Sequence, residues 1–124
     1  MKSYRLHVLM FTVLTILITV SVYPNKSAVR IVVPNKVVKG SDVTITLEVT
    51  HSGNNFIHHV NWVYLKVNGV ENKKWEFGSF SLPEKEDFSR TVTIKADDKL
   101  DLEADANCNI HGSMGVSKAT VLLQ

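Results

Sequence analysis

Hydrophobic and polar residues alternate with a period of two along most of the chain after residue 27. In VTITLEVTH, residues 43–51, the odd positions up to Val49 are apolar and the even positions are Thr or Glu. This alternation predicts a strand with one buried face. The segment VNWVYLKV, residues 60–67, is rich in β-branched and aromatic residues and leads directly into Asn68-Gly69. Because Asn-Gly is a strong hairpin signal, we expect an antiparallel strand to return over residues 74–80.

Further segments of the same kind lie at residues 28–33, 89–95, 100–108 and 118–123. Turn residues separate them, and no window has a sustained helical period. About seven short strands with this spacing are typical of a sandwich. The sequence therefore predicts an all-β fold, a small immunoglobulin-like antiparallel β-sandwich.

The N-terminal segment has a different pattern. Lys2 and Arg5 precede an almost wholly apolar run over residues 8–22, which is the order found in a secretory signal peptide. The cleavage motif is weak, so an N-terminal membrane anchor is the alternative, although a run of about 15 residues is shorter than the roughly 20 that span a bilayer. We expect residues 1–27 to form this signal or anchor and residues 28–124 to form the domain. The protein is then exported, to the periplasm or another extracytoplasmic site.

Charge and cysteine content narrow the choice of function. The formal net charge is +2 and the Lys and Arg residues are scattered, so a nucleic-acid partner is not expected. The single cysteine, Cys108, excludes an internal disulfide and a C-x-x-C redox pair. No G-x-S-x-G or P-loop motif is present. The remaining possibility that we consider is that Cys108 acts together with the histidines.

Four side chains with metal-binding chemistry are expected to meet at one end of the sandwich. His51 continues the apolar face of its strand, and Cys108 continues the face of Leu100 and the alanines that follow. Imidazole and thiolate together suit iron, copper or zinc. We therefore predict a metal site formed by the residues His51, His58, Cys108 and His111.

Two further residues are less favoured ligands. His59 adjoins His58 and points to the opposite face if the strand has already begun. Met114 completes a Cys108-x-x-His111-x-x-Met114 spacing, which is that of a blue-copper loop. A cupredoxin-like copper electron carrier is therefore one alternative. Zinc held by Cys and three His in a closed, non-catalytic exported module is another.

Two motifs resemble a known family. HHVNWVYL, residues 58–65, and CNIHG, residues 108–112, are similar to the motifs of the superoxide reductase iron domain, that is, of neelaredoxin and the C-terminal domain of desulfoferrodoxin. VPNKVVKGSDVTITLEV, residues 33–49, also resembles the lead-in strand of that family. The similarity extends over residues 26–124.

This resemblance implies a function and a ligand set. It implies a mononuclear iron with equatorial histidines and an axial cysteine thiolate, superoxide as substrate, peroxide as product and an external electron donor protein. The Glu-Lys-His motif of the family corresponds here to Asn25, Lys26 and Ser27. Lys26 is therefore a candidate catalytic residue, while Ser27 stands where the family has one of its histidine ligands.

Overall fold

The protein is described by a computed structural model that covers residues 25–124. Most of the expected signal or anchor segment lies outside the described residues. All regular structure within them is strand: β1 (Ala28–Val32), β2 (Lys36–Val37), β3 (Asp42–Thr50), β4 (Val60–Val67), β5 (Val70–Glu76), β6 (Phe88–Lys95), β7 (Leu100–Cys108) and β8 (Ser117–Leu123). In this part of the chain, no helix long and apolar enough to cross a membrane occurs.

The strands form two sheets that pack face to face. One sheet has three strands in the order β1-β3-β6, and the other has five in the order β2-β8-β7-β4-β5. Neighbouring strands are antiparallel, except that the two-residue β2 runs parallel to β8. The predicted all-β sandwich is therefore confirmed.

The apolar positions of the two-residue periodicity form the core. Val43, Ile45, Leu47 and Val49 of β3 are buried, and the alternate residues of β7 from Leu100 to Cys108 face them from the other sheet. Burying a side chain of this size stabilises the fold by about 1.5–3 kcal/mol relative to exposure. A shift of one residue in either strand would expose the whole set, so the pattern also fixes the register.

The strand expected over residues 74–80 was wrong in its bounds. Asn68 and Gly69 both have positive φ, 50° and 81°, so the turn is a tight two-residue turn and pairing resumes at once, with Val67 opposite Val70. β5 therefore ends at Glu76, and residues 77–87 form a loop. The short strand β2 was not predicted, since two residues are too few to show a period.

The chain direction gathers several loops at one end of the sandwich. β3 ends at Thr50, β4 begins at Val60 and β7 ends at Cys108, and Val60 lies opposite Cys108 in the five-stranded sheet. The loops 51–59, 77–87 and 109–116 therefore share this end, which we call the site end. The Asn68-Gly69 turn lies at the opposite end.

Candidate metal centre

Cys108 lies at the site end and belongs to a tight loop. It is the last residue of β7 and its thiol is buried on the inner face. The backbone N–H groups of Cys108 and Gly112 each donate to the other residue's carbonyl, at 3.0 Å in both cases. Gly112 has φ of 81°, a conformation that a residue with a Cβ adopts only at a cost. This loop returns His111 to the sulfur, and the backbone N–H of His111 donates to Sγ over 3.4 Å.

Two imidazoles contact the Cys108 sulfur. His58 Nε2 lies 3.1 Å from Sγ and His111 Nδ1 lies 3.8 Å from it. The same two ring nitrogens are 3.2 Å apart. His58 is held in the loop after β3, 50 residues before Cys108 in sequence. Three donor atoms from distant parts of the chain therefore converge on one point.

His51 completes the cluster from the other sheet. It follows the last residue of β3 and is buried, and its ring lies with its centroid 4.7 Å from that of His58. Its Nδ1–H donates to the carbonyl of Gly53 over 2.7 Å, which leaves the lone pair on Nε2. That Nε2 is buried and finds no hydrogen-bond partner among residues 25–124.

The donor set fits a transition metal. One ligand atom from each of His51, His58 and Cys108 lies within 4.8 Å of the other two. An unpartnered buried nitrogen costs about 1–3 kcal/mol, and a metal ion at the cluster would remove that cost. Histidine that binds a metal through one nitrogen commonly donates its other N–H to a carbonyl, as His51 does.

The electrostatics of the cluster favour neutral imidazole. The pKa of His58 is lowered from its ordinary value of 6.5, chiefly because burial disfavours the charged form and further because His51, His111 and His59 are nearby. Metals bind the neutral ring. At pH 7 His58 is therefore already in its ligand form.

Gly53 makes room for the ring of His58. A Cβ on Gly53 would lie 2.4 Å from His58 Nδ1, and its φ is 151°. The same residue accepts the hydrogen bond from His51. Asn55 then fixes the following turn, since its Oδ1 accepts from the backbone N–H of Ile57 at 3.0 Å and of His58 at 2.9 Å.

His59 has a different role from its neighbour. Its Nδ1 pairs with the carbonyl of Asn55 over 3.0 Å, and its backbone N–H and carbonyl both bond to Asn109. The ring of His59 thus braces the loop 51–59 internally, and its backbone joins that loop to the loop 109–116. Met114, the other less favoured ligand, is exposed. Its backbone N–H donates to the carbonyl of Ser27 over 2.8 Å.

The segment Asn25–Ser27 lies against the cluster. Ser27 is fully buried, and its backbone N–H donates to the Gly112 carbonyl over 3.1 Å. Its hydroxyl is without a hydrogen-bond partner in the described part of the chain. Since Ala28 pairs with Thr50, the next position along places Ser27 opposite His51. Lys26 is exposed beside it.

Asn25 contacts the loop 51–59 directly. Its Nδ2 donates to the Ser52 carbonyl over 2.7 Å and lies 3.5 Å from His58 Nδ1, and its Oδ1 accepts from the Ser52 hydroxyl. Sequence reasoning missed the supporting roles of Asn25, Gly53, Asn55 and Asn109. The only signal was the density of Asn and Gly around the histidines, which is typical of turns in general.

Comparison with known proteins gives one family. The family model described as desulfoferrodoxin matches residues 19–115. Among curated proteins, none matches the chain.

Solved structures share the fold. A variant of the superoxide reductase (neelaredoxin) from Ignicoccus hospitalis is similar with a TM-score of 0.66 and 21% identity, over 81% of this chain and 82% of that one. A variant of the superoxide reductase (neelaredoxin) from Archaeoglobus fulgidus, in the reduced form, has a TM-score of 0.60 and 24% identity, over 85% and 97%.

A protein with a different description also shares the sandwich. The CARDB domain of a Pyrococcus furiosus protein, in complex with di-metal ions, has a TM-score of 0.55 and 16% identity over 84% of this chain and 100% of that one. Because one fold hosts several functions, function must be argued from the metal cluster of this chain.

Proposed function

The chain belongs to the desulfoferrodoxin family, and from this premise we propose that it binds a single iron ion and reduces superoxide to peroxide outside the cytoplasm. The observation that carries the proposal is the cluster of His51, His58 and Cys108, in which His51 Nε2 is buried without a partner within the described residues. His111 completes the predicted ligand set, since its Nδ1 lies 3.8 Å from the Cys108 sulfur.

The donor chemistry supports iron. Two or three neutral imidazoles and one thiolate form a mixed set of borderline and soft ligands, which excludes magnesium and calcium and suits iron. When bound there, ferrous iron supplies one electron, which with two protons converts superoxide to hydrogen peroxide, and an external donor protein restores the ferrous state. The Cys108 sulfur accepts the N–H of His111, and hydrogen bonds of this kind tune the potential of a thiolate-bound metal.

The surroundings of the cluster suit a small anionic substrate. Lys26 is exposed between Asn25 and Ser27, both of which lie against the cluster. A cation near the entrance raises the encounter rate of an anion such as superoxide. His111 is exposed whereas His51 and Cys108 are buried. The His111 ring is therefore the most exposed member of the cluster.

Spectroscopy on the purified full chain tests the proposal. Loaded with iron and oxidised, the protein should show a thiolate-to-ferric charge-transfer band and should consume superoxide generated by pulse radiolysis. Cys108→Ser should lose the band while keeping the fold, because serine is close in volume. Retention of the band in Cys108→Ser would remove the sulfur from the ligand set.

Two control variants separate iron from the other metals. Met114→Leu should leave the band unchanged, because an exposed thioether has no part in the proposed centre. A blue copper protein whose spectrum depends on Met114 would contradict the proposal, and so would a colourless protein that retains only zinc. His59→Ala should keep the metal, since His59 is not one of the residues whose ligand atoms converge.

A further inference from the structure

Five large apolar side chains are exposed together at the site end. They are between 54% and 95% exposed and form what we call the apolar rim: Phe56, Ile57, Phe80, Ile110 and Met114. They come from three different loops, 51–59, 77–87 and 109–116. A single exposed apolar residue is ordinary, whereas a contiguous group marks a contact surface.

The rim is held in place by specific contacts. The rings of Phe56 and Phe80 pack edge to face with centroids 5.3 Å apart. The Ser79 hydroxyl donates to the Phe56 carbonyl over 2.7 Å, and Asn109 Nδ2 donates to the Ile57 carbonyl over 2.8 Å. The loops that carry the rim are therefore joined to each other, and the rim presents one surface beside the exposed His111.

The course of the chain bears on what could cover this surface. Asn25, the first described residue, bonds to Ser52 and approaches His58 at the site end. Only Tyr23 and Pro24 separate it from the apolar run 8–22. The three residue steps from Val22 to Asn25 span at most about 11 Å, so the apolar run ends within a short distance of the site end.

We propose that the apolar rim docks on the lipid bilayer that holds residues 8–22, so that the metal centre faces the membrane surface. This surface role is independent of the metal and of the reaction proposed above. The opposite end of the sandwich has fewer exposed large apolar side chains among its described residues, chiefly Val38, Val70 and Leu122, and none of them is aromatic.

The charges near the rim define the kind of lipid contact. Glu84, Glu86 and Asp87 lie in the loop before β6 with Lys85 among them, and Lys26 lies beside the cluster. The site end therefore has no excess of positive charge that would select anionic lipid. Docking should rest on apolar contacts, and so it should occur on neutral phosphatidylcholine and change little with salt.

Nuclear magnetic resonance of the full chain in phosphatidylcholine nanodiscs tests the docking. A fraction of the lipids carries a gadolinium chelate on the headgroup, which weakens the amide signals of nearby residues. Amides of the rim should lose most of their intensity, and those of Gly69 and Val70 should keep theirs. Equal loss at both ends, or no loss at the rim, would overturn the proposal.

A pair of matched variants separates docking from mere tethering. Phe56→Ser combined with Phe80→Ser should abolish the contrast between the two ends, because the apolar contact is lost while the tether remains. Val38→Ser combined with Val70→Ser removes exposed apolar side chains elsewhere and should leave the contrast intact. All four side chains are exposed, so the fold should survive in both variants.

Other outcomes count against the proposal. If the chain purified from cells lacks residues 8–22 and its amide signals do not change with vesicles, the membrane is not the occupant. Protection of the rim that arises only on addition of a second protein would likewise assign the surface to a protein partner.

Discussion

Three buried polar side-chain atoms have no hydrogen-bond partner in the structure of residues 25–124, and two of them, Ser27 Oγ and His51 Nε2, belong to residues at the metal cluster. They have different chemical consequences. The nitrogen is free to bind a metal, because the hydrogen bond from Nδ1 to the Gly53 carbonyl already orients its ring. The hydroxyl of Ser27 is a poor ligand for ferrous iron, and in the metal-free chain it is simply a buried donor that has lost its contact with water.

Replacing Ser27 with Ala should therefore stabilise the metal-free chain, by up to about 1 kcal/mol, because an unsatisfied buried hydroxyl is removed. Urea denaturation in the presence of a chelator measures this. Ser113 pairs with Ser27 in the sheet-like bridge, but its hydroxyl donates to Asp105. Ser113→Ala should accordingly destabilise the chain. A loss of stability in Ser27→Ala would mean that its hydroxyl has a partner.

Replacing Gly53 with Ala should lower metal affinity, because the new Cβ would lie 2.4 Å from His58 Nδ1 and must displace the ring. A loss of about 10-fold or more is expected, as for other changes that misorient a ligand. Competition with a chromophoric chelator measures the affinity. Gly115→Ala is the matched control, since Gly115 also has a positive φ, 120°, but has open space around it. Equal losses in the two variants would attribute the effect to backbone strain alone.

At the scale of the elements, the strands were predictable and the loops that build the centre were not. β3 and β7 each bury one face, and burial of one face requires apolar residues at every second position. The alternation of residues 43–51 and 100–108 therefore reveals these strands directly. The convergence of His51 and Cys108 follows from the same phase. The positions of His58, Gly53 and Asn55 depend on side-chain hydrogen bonds within a turn-rich loop, which leave no periodic signal.

The loop before β6 is likewise held by side-chain contacts that leave no periodic signal in the sequence. Arg90 donates from Nη1 to Glu84 Oε1 at 2.8 Å and from Nη2 to Oε2 at 3.0 Å. Its guanidinium also lies 5.2 Å from the ring centre of Phe77 and 4.8 Å from that of Phe88. One side chain thus joins both ends of the 77–87 loop, which carries Phe80 of the apolar rim.

This ion pair should give the chain a defined acid dependence. The hydrogen bonds from Arg90 lower the pKa of Glu84 to about 2 from its ordinary 4.5. A lowered carboxyl pKa contributes stability that is present above pH 4.5 and is lost as the pH falls toward 2. Because Glu84 is half exposed, the contribution is small, about 0.3–1 kcal/mol.

Glu84→Gln should lower the free energy of unfolding by that amount at pH 7 and by progressively less between pH 4.5 and pH 2. Urea denaturation at several pH values measures the difference between the variant and the parent chain. Glu86→Gln, in the same loop, should have no such effect. A difference for Glu84→Gln that persists unchanged at pH 2 would show that the pair with Arg90 is not its source.

At the scale of the whole molecule, the predicted ligands come from both sheets. His51 follows β3 of the three-stranded sheet, and Cys108 ends β7 of the five-stranded sheet. His58 lies in the loop from β3 to β4, and His111 lies in the loop from β7 to β8. A metal bound by this set would link the two layers of the sandwich at the site end, in addition to the apolar core that already holds them together.

Metal binding should therefore raise the stability of the fold, in addition to its role in the proposed reaction. An ion that binds only the folded chain adds about 2.7 kcal/mol at 100 times its dissociation constant, so Tm should rise with iron concentration and fall on chelation under anaerobic conditions. Cys108→Ser should abolish the dependence of Tm on iron. His59→Ala should lower the Tm itself, since it removes a buried ring whose Nδ1 bonds to the Asn55 carbonyl, yet keep the increment that iron provides. An increment that survives in Cys108→Ser would show that the sulfur is not needed to hold the stabilising metal.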